Sequence, residues 1–295
     1  MAALAPETTP ELALREIVSK CRDDLLKYRK VVLTSRRAEG IHQTRVALRR
    51  MRAALGLFRT AASSDAARRE MQALAAEAKW LAGECAPARD LHVFLAETAR
   101  EVPAPVKRVA QRLARAHLER ARTALGGARF STFDTALESF ISHLPANAAG
   151  RLDAFGREVL GSRHGKVMKR AHRLGSLDGT RLHRLRIAIK KARYAAAFLQ
   201  PAFAAPPFDS RAAKPYIEAT VRLQGALGTL NDRAVAAQML AEIALAARPT
   251  EDVERALAKL AKQAASGDKR RRHKLQRAWK TFRKAERFWR ATKKP

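Results

Sequence analysis

Residues 41–58 read IHQTRVALRRMRAALGLF, and residues 182–199 read LHRLRIAIKKARYAAAFL. In the first stretch the apolar residues Ile41, Leu48, Met51, Leu55 and Phe58 recur at helical spacing, not at the period of two that a strand requires. At about 100° per residue they share one arc, and His42, Arg45, Arg49 and Arg52 fall in a neighbouring arc roughly 80° wide. The second stretch repeats the scheme with His183, Arg186, Lys190 and Arg193, each 141 positions on from its counterpart (42 to 183, 52 to 193). Arg49 and Arg50 stand opposite Lys190 and Lys191, so charge is kept where identity is not. Each stretch therefore predicts a helix with an apolar stripe beside a basic one, the latter running for about 15 Å of axis.

Working outward, the rest of the chain also reads as helix. Ala, Leu, Arg, Lys and Glu dominate, and these are good helix formers. Helices are expected at Pro10–Thr34, from after Glu39-Gly40 to about Thr60, at Asp65–Arg100 with an interruption near Pro87, and from Pro103 to Gly126-Gly127. A short segment at Ser131–His143 and a linker at Pro145–Gly150 follow. Further helices are expected at 151–174, 179–200, 209–247 and 250–290, the last bending near Ser266-Gly267. No strand pattern of useful length is present. LAGECAPARD (81–90) lies opposite LQGALGTLND (223–232), and LERARTAL (118–125) opposite LQRAWKTF (275–282). Three matched blocks in one order predict an internal duplication. The expected architecture is all-α: two tandem four-helix bundles, 10–144 and 151–290, related as repeats.

Composition narrows the chemistry. The 295 residues carry 59 Lys+Arg against 28 Asp+Glu, a formal net charge of +31, with 47% hydrophobic residues. That apolar content excludes a disordered basic tail. A charge excess of this size calls for a polyanionic partner. Two cysteines, Cys21 and Cys85, exclude a disulfide framework. No apolar run approaches the roughly 20 residues that span a bilayer, and the N-terminus lacks a signal-peptide pattern. The expectation is a soluble, cytoplasmic protein without membrane insertion.

The basic stripes are the candidate site. Cations three and four apart on a helix repel one another, and surface helices usually relieve this with interleaved Glu. Here there is no Asp or Glu from His42 through Arg59, nor from Leu182 through Phe208. Such a ladder suits phosphate, which Arg binds bidentately and which Lys and His meet as charged donors. Asp90 and Asp232 occupy matching places; each either orients Arg45 or Arg186, or pairs with its neighbour Arg89 or Arg233. His92, His117, His143, His164, His172 and His273 show no metal-ligand clustering. No phosphate loop, nucleophile elbow or zinc-protease motif is present, and neither a cofactor nor catalysis is expected. The run Lys269–Lys274 (KRRRHK) reads as an extension of the basic surface.

The segments His42–Arg52 and His183–Arg193, with Leu81, Gly83, Arg89 and Asp90 and with Leu223–Asp232, resemble the duplicated signature of CHAD domains. The resemblance covers essentially the whole chain. It implies two helical bundles related by a pseudo-twofold axis and a basic central surface that binds inorganic polyphosphate, in some relatives on polyphosphate granules. It further implies His42, Arg45, Arg49, Arg50 and Arg52, then His183, Arg186, Lys190, Lys191 and Arg193, as binding positions. The last helix of each bundle is expected to add Arg112, Arg115 and Arg120, and Lys269, Arg272 and Arg277. One departure is that Pro87 replaces the turn of the second repeat, with no expected effect on the basic stripe. The E-x-E-x-K signature of an attached triphosphatase is absent. Two other readings of the charge remain: nonspecific nucleic-acid binding, and an accessory subunit of a phosphohydrolase.

Overall fold

The computed structural model describes residues 5–98, 103–144, 150–247, 250–265 and 268–291. The expected linker residues 145–149 and the expected bend at Ser266-Gly267 lie outside the described residues. Eleven α-helices are described: α1 (Pro10–Thr34), α2 (Ala38–Phe58), α3 (Asp65–Glu84), α4 (Ala86–Thr98), α5 (Ala104–Gly126), α6 (Ala128–His143), α7 (Leu152–Arg170), α8 (Gly179–Leu199), α9 (Ala213–Ala246), α10 (Glu251–Ala265) and α11 (Asp268–Lys284). Among the described residues the only β pairing is an isolated bridge between Phe208 and Ala291. The chain is thus all-α, and no described helix is long and apolar enough to cross a membrane.

Local chemistry sets the helix starts. Thr9 caps α1 by accepting from the Leu12 amide at 3.3 Å, and Pro10 opens the helix where its missing N–H costs nothing. Ser64 caps α3 and Asp178 caps α8 in the same way, at 3.1 and 2.7 Å. α2 begins two residues before Gly40 instead of after it. The glycine serves the packing of α1 on α2, since a Cβ there would lie 3.0 Å from Val31 and 3.2 Å from Val32. The segment expected to be short at Ser131–His143 is a full helix, α6, whose Phe130, Phe133, Leu137 and Phe140 are buried at spacings of three and four. The expected helix at 65–100 is two, because α3 stops at Glu84 just before Pro87.

Helices α2 and α8 are both 21 residues long, and their ends are offset by the same 141 positions as their motifs (38 to 179, 58 to 199). They pack against each other, with α1 and α3 flanking α2 and with α7 and α9 flanking α8. One continuous cluster of buried residues runs from Ala13 to Trp289 and includes Leu48, Met51, Leu185 and Ile189 from the two motif helices. A second cluster joins α4 and α5 to α9 and α10 through Leu91, Phe94, Leu240 and Ile243. The early and late helices therefore share their apolar interiors. Cys21 and Cys85 are free and buried, and burial pushes their thiols up to about 11 and about 12.

α7 contains glycines with different reasons to be there. A Cβ on Gly156 would meet the ring of Phe203 at 2.8 and 2.9 Å, and Phe203 is fully buried. A Cβ on Gly161 would meet nothing within 4 Å. Gly156→Ala is expected to lose about 1–3 kcal/mol to overpacking, whereas Gly161→Ala should gain up to about 1 kcal/mol of helix stability. Urea unfolding of both variants checks this, and shifts of the same sign would contradict the packing described.

Candidate functional site

The packing of α2 on α8 brings the two basic stripes together. Lys190 on α8 is partly buried, and the charges acting on it come from Arg49 and Arg52 on α2 and from Arg186 and Arg193 on its own helix. Burial first, then these four guanidinium groups, push its amine down from 10.5 to about 8. No carboxylate is among the strongest charges acting on it. Burial also lowers Arg52. The Nε atoms of Arg49 and Arg186 are buried and have no acceptor in the protein. An unmet buried donor costs free energy, and a charged one more so. Five cations from two helices, two of them with idle donors, make a surface that an anionic acceptor would complete.

Arg45 is used differently from its counterpart Arg186. It donates to the Ala82 carbonyl, one of those left free where α3 ends. The departure at Pro87 thus does reach the basic stripe, contrary to expectation. In the later half α9 continues without a break from Ala213 to Ala246, past the matching positions. Desolvation lowers Arg45, the charge of Asp90 opposes this, and Arg49 and Arg89 reinforce it. Asp90 itself pairs with Arg89 at 3.0 Å. Both alternatives for Asp90 therefore hold at once: it is paired with its neighbour and it supports Arg45. The side chain of Asp232 lies outside the described residues.

The remaining candidates are more dispersed. His42 and His183 are exposed in the second turns of α2 and α8, without protein partners. Arg50 leaves the ladder for Cys21 on α1, with its guanidinium 5.9 Å from the Phe198 ring centre. Lys191 faces α7, where Arg163, Arg170 and Lys166, together with Arg59, hold its amine below its ordinary value after burial has lowered it. Those four cations were not among the expected positions; their signal was the spacing of Arg163, Lys166 and Arg170 along one face of a helix. Arg112 donates to the Ala246 carbonyl at 2.9 Å, and Arg120 is neutralised by Glu84 at 2.7 Å. Arg115, Arg272 and Arg277 are exposed, and the side chain of Lys269 lies outside the described residues. α5 and α11 make their main contacts with helices other than α2 and α8. Elsewhere carboxylates pair with other cations, as Asp134 does with Arg22 and Glu77 with Arg129. Among the described residues no three His, Cys, Asp or Glu side chains gather as a metal site would need.

Known proteins share this fold. No curated protein matches the chain. The crystal structure of the CHAD domain from the plant Ricinus communis superimposes with a TM-score of 0.78 at 29% identity, covering 93% of this chain and 94% of that one. PptA from Streptomyces chartreusis shares the fold, with a TM-score of 0.61 at 17% identity over 93% of this chain and 98% of that one. The family pattern named CHAD domain matches residues 16–241, which takes in both histidine-bearing helices and most of α9. A match over that much of the chain, on the helices that carry the cations, makes this protein a member of the CHAD domain family.

Proposed function

We propose that this protein binds inorganic polyphosphate without catalysing its turnover, and that the chain of phosphates lies across the paired stripes of α2 and α8. The observation that carries this reading is the acid-free group of Arg49, Arg52, Arg186, Lys190 and Arg193 around one partly buried amine. Each phosphate along such a ligand presents oxygens with no base between them, which suits closely spaced guanidinium forks. The buried Nε donors of Arg49 and Arg186 find no acceptor in the protein, a cost that an anion held by the same guanidinium groups would help to offset. His42 and His183 each extend the stripe of their own helix by one turn. Nucleic acid is the weaker fit, because the aromatic residues near the ladder, such as Phe198 and Tyr194, are buried and offer no stacking face. Location at polyphosphate granules would follow from the binding itself.

Arg49→Ala, Arg186→Ala and Lys190→Ala combined should weaken polyphosphate binding severely while helicity is retained. The slope of log affinity against log salt should fall by roughly 0.7 for each cation removed, about 2 in all, if the ligand behaves as a single-stranded polyanion. A salt titration of wild type and variant measures both quantities. Unchanged affinity would remove the ladder from the site. Competition adds a second check: polyphosphate should displace duplex DNA at far fewer phosphate equivalents than the reverse. Phosphate release from polyphosphate in the presence of divalent metal should stay at background; sustained turnover would make the protein an enzyme.

Lys190 also makes the site pH-sensitive. In the unfolded chain its amine titrates near 10.5, in the folded protein near 8. Between these values the unfolded state holds more protons, so stability rises with pH across that window. Below pH 8 the amine is charged in both states and its cost to the fold is complete. Lys190→Met should therefore raise the melting temperature at pH 7, and the gain should shrink as pH approaches 10.5. A bound polyanion favours the charged amine, so binding near pH 9 should take up protons. Calorimetry in two buffers of different ionisation enthalpy reads this uptake, which should vanish in Lys190→Met.

A further inference from the structure

A second cationic site lies away from the ladder, between α7 and the segment that follows α11. Two adjoining cavities of about 700 and about 420 Å³ share His164, Arg287, Arg290 and Ala291. The larger is rimmed by Arg283 and Lys284 in addition, with Glu286 its one carboxylate among the described residues. The smaller is bounded by Gly161, Gly165, Trp289 and Arg157. None of these four arginines and one lysine forms an ion pair within the described protein.

Geometry separates this cleft from the polyphosphate surface. On α7, Gly161, His164 and Gly165 point roughly opposite to Arg163, Lys166 and Arg170, the residues beside Lys191, at about 100° per residue. The segment closing the cleft, Arg283 to Ala291, also lies beyond residues 16–241, the part that the family pattern covers.

The glycines point to an occupant. Gly156 is needed for the close approach of Phe203, but Gly161 and Gly165 have no protein atom within 4 Å of where a Cβ would stand. Glycine inside a helix is destabilising by about 0.5–1 kcal/mol relative to alanine. Two of them, one turn apart, leave the floor of the smaller cavity flat and open. His164 forms its wall: its Nδ1 lies 3.2 Å from the Tyr216 hydroxyl, and its ring packs 5.4 Å from Phe282 and 5.9 Å from Trp289. Burial, with the charges of Arg287 and Arg290, holds it at about 4, so the ring is neutral at pH 7. One half of the cleft is thus a flat, weakly polar shelf, and the other is a nest of unpaired cations.

We infer that this cleft binds a nucleoside polyphosphate, with the planar base over Gly161 and Gly165 and the phosphates among Arg283, Lys284, Arg287 and Arg290. The shelf accepts a ring that a bare phosphate chain lacks, and the cations accept a charged tail that a free nucleoside lacks. Neither half alone explains the pairing.

The test uses the full chain with ATP, tripolyphosphate and adenosine as probes, in calorimetry at physiological salt. ATP is expected to bind at least tenfold more tightly than tripolyphosphate, with adenosine weaker than both. Gly161→Leu and Gly165→Leu fill the shelf from open positions, and Arg287→Gln removes a cation without adding bulk. Each should weaken ATP tenfold or more and leave long-chain polyphosphate binding unchanged. The variant lacking Arg49, Arg186 and Lys190 should do the reverse, so failure of the ladder and failure of the cleft are told apart. Equal affinity for ATP and tripolyphosphate would overturn the inference, as would ATP binding that survives all three cleft variants or is lost only with the ladder.

Discussion

The contact of α2 with α8 is the constraint on which the rest of the structure depends. It sets Lys190 among four guanidinium groups, with no carboxylate among the strongest charges acting on it. Left alone, that arrangement would push the helices apart. They are held by what lies behind the charges: Ile41, Leu48, Met51 and Leu55 on one helix, and Leu185, Ile189 and Ala192 on the other, all buried in one continuous core. Burial of such side chains is worth roughly 1.5–3 kcal/mol each for the larger ones, enough to offset repulsion between partly solvated cations. The fold thus carries a standing electrostatic cost where these two helices meet.

The remaining ionic groups divide along the same line. Several cations far from the α2–α8 contact are matched to acids, as Arg22 is to Asp134, Arg120 to Glu84 and Arg129 to Glu77. Those near it are matched to each other. Arg45 stands at the boundary: it is in the stripe, yet it is tied to the end of α3 and supported by Asp90. Its counterpart Arg186 has a buried Nε with no acceptor. The two stripes are therefore not equivalent, since Arg45 is committed to the backbone where Arg186 is not.

The late segment adds a different use of charge. Arg287 and Arg290 follow α11, and the bridge of Ala291 to Phe208 anchors the segment near the end of the described chain. Buried Phe288 and Trp289 pack on Tyr216, which fixes the arginines beside them over α7. An apolar anchor carrying cations thus recurs, built here from aromatic contacts and not from a helical stripe.

Much of this was legible in the residues. Helical periodicity gave the all-α class, and the spacing of His42, Arg45, Arg49 and Arg52 put them on one face, because rotation per residue is fixed by the backbone. Caps such as Thr9 and Asp178 mark helix starts through a hydrogen bond between near neighbours, so they too can be read locally. What the sequence left open depended on distant groups. That Lys190 faces Arg49 and Arg52, that Arg45 spends itself on the Ala82 carbonyl, and that Arg120 is neutralised by Glu84 follow from helix packing, which no spacing encodes. The same holds for Gly161 and Gly165: in the sequence they are two weak points in a helix, and only the tertiary structure sets open space and unpaired arginines beside them. Periodicity is a property of one helix, whereas the field at a side chain is the sum over every helix packed around it.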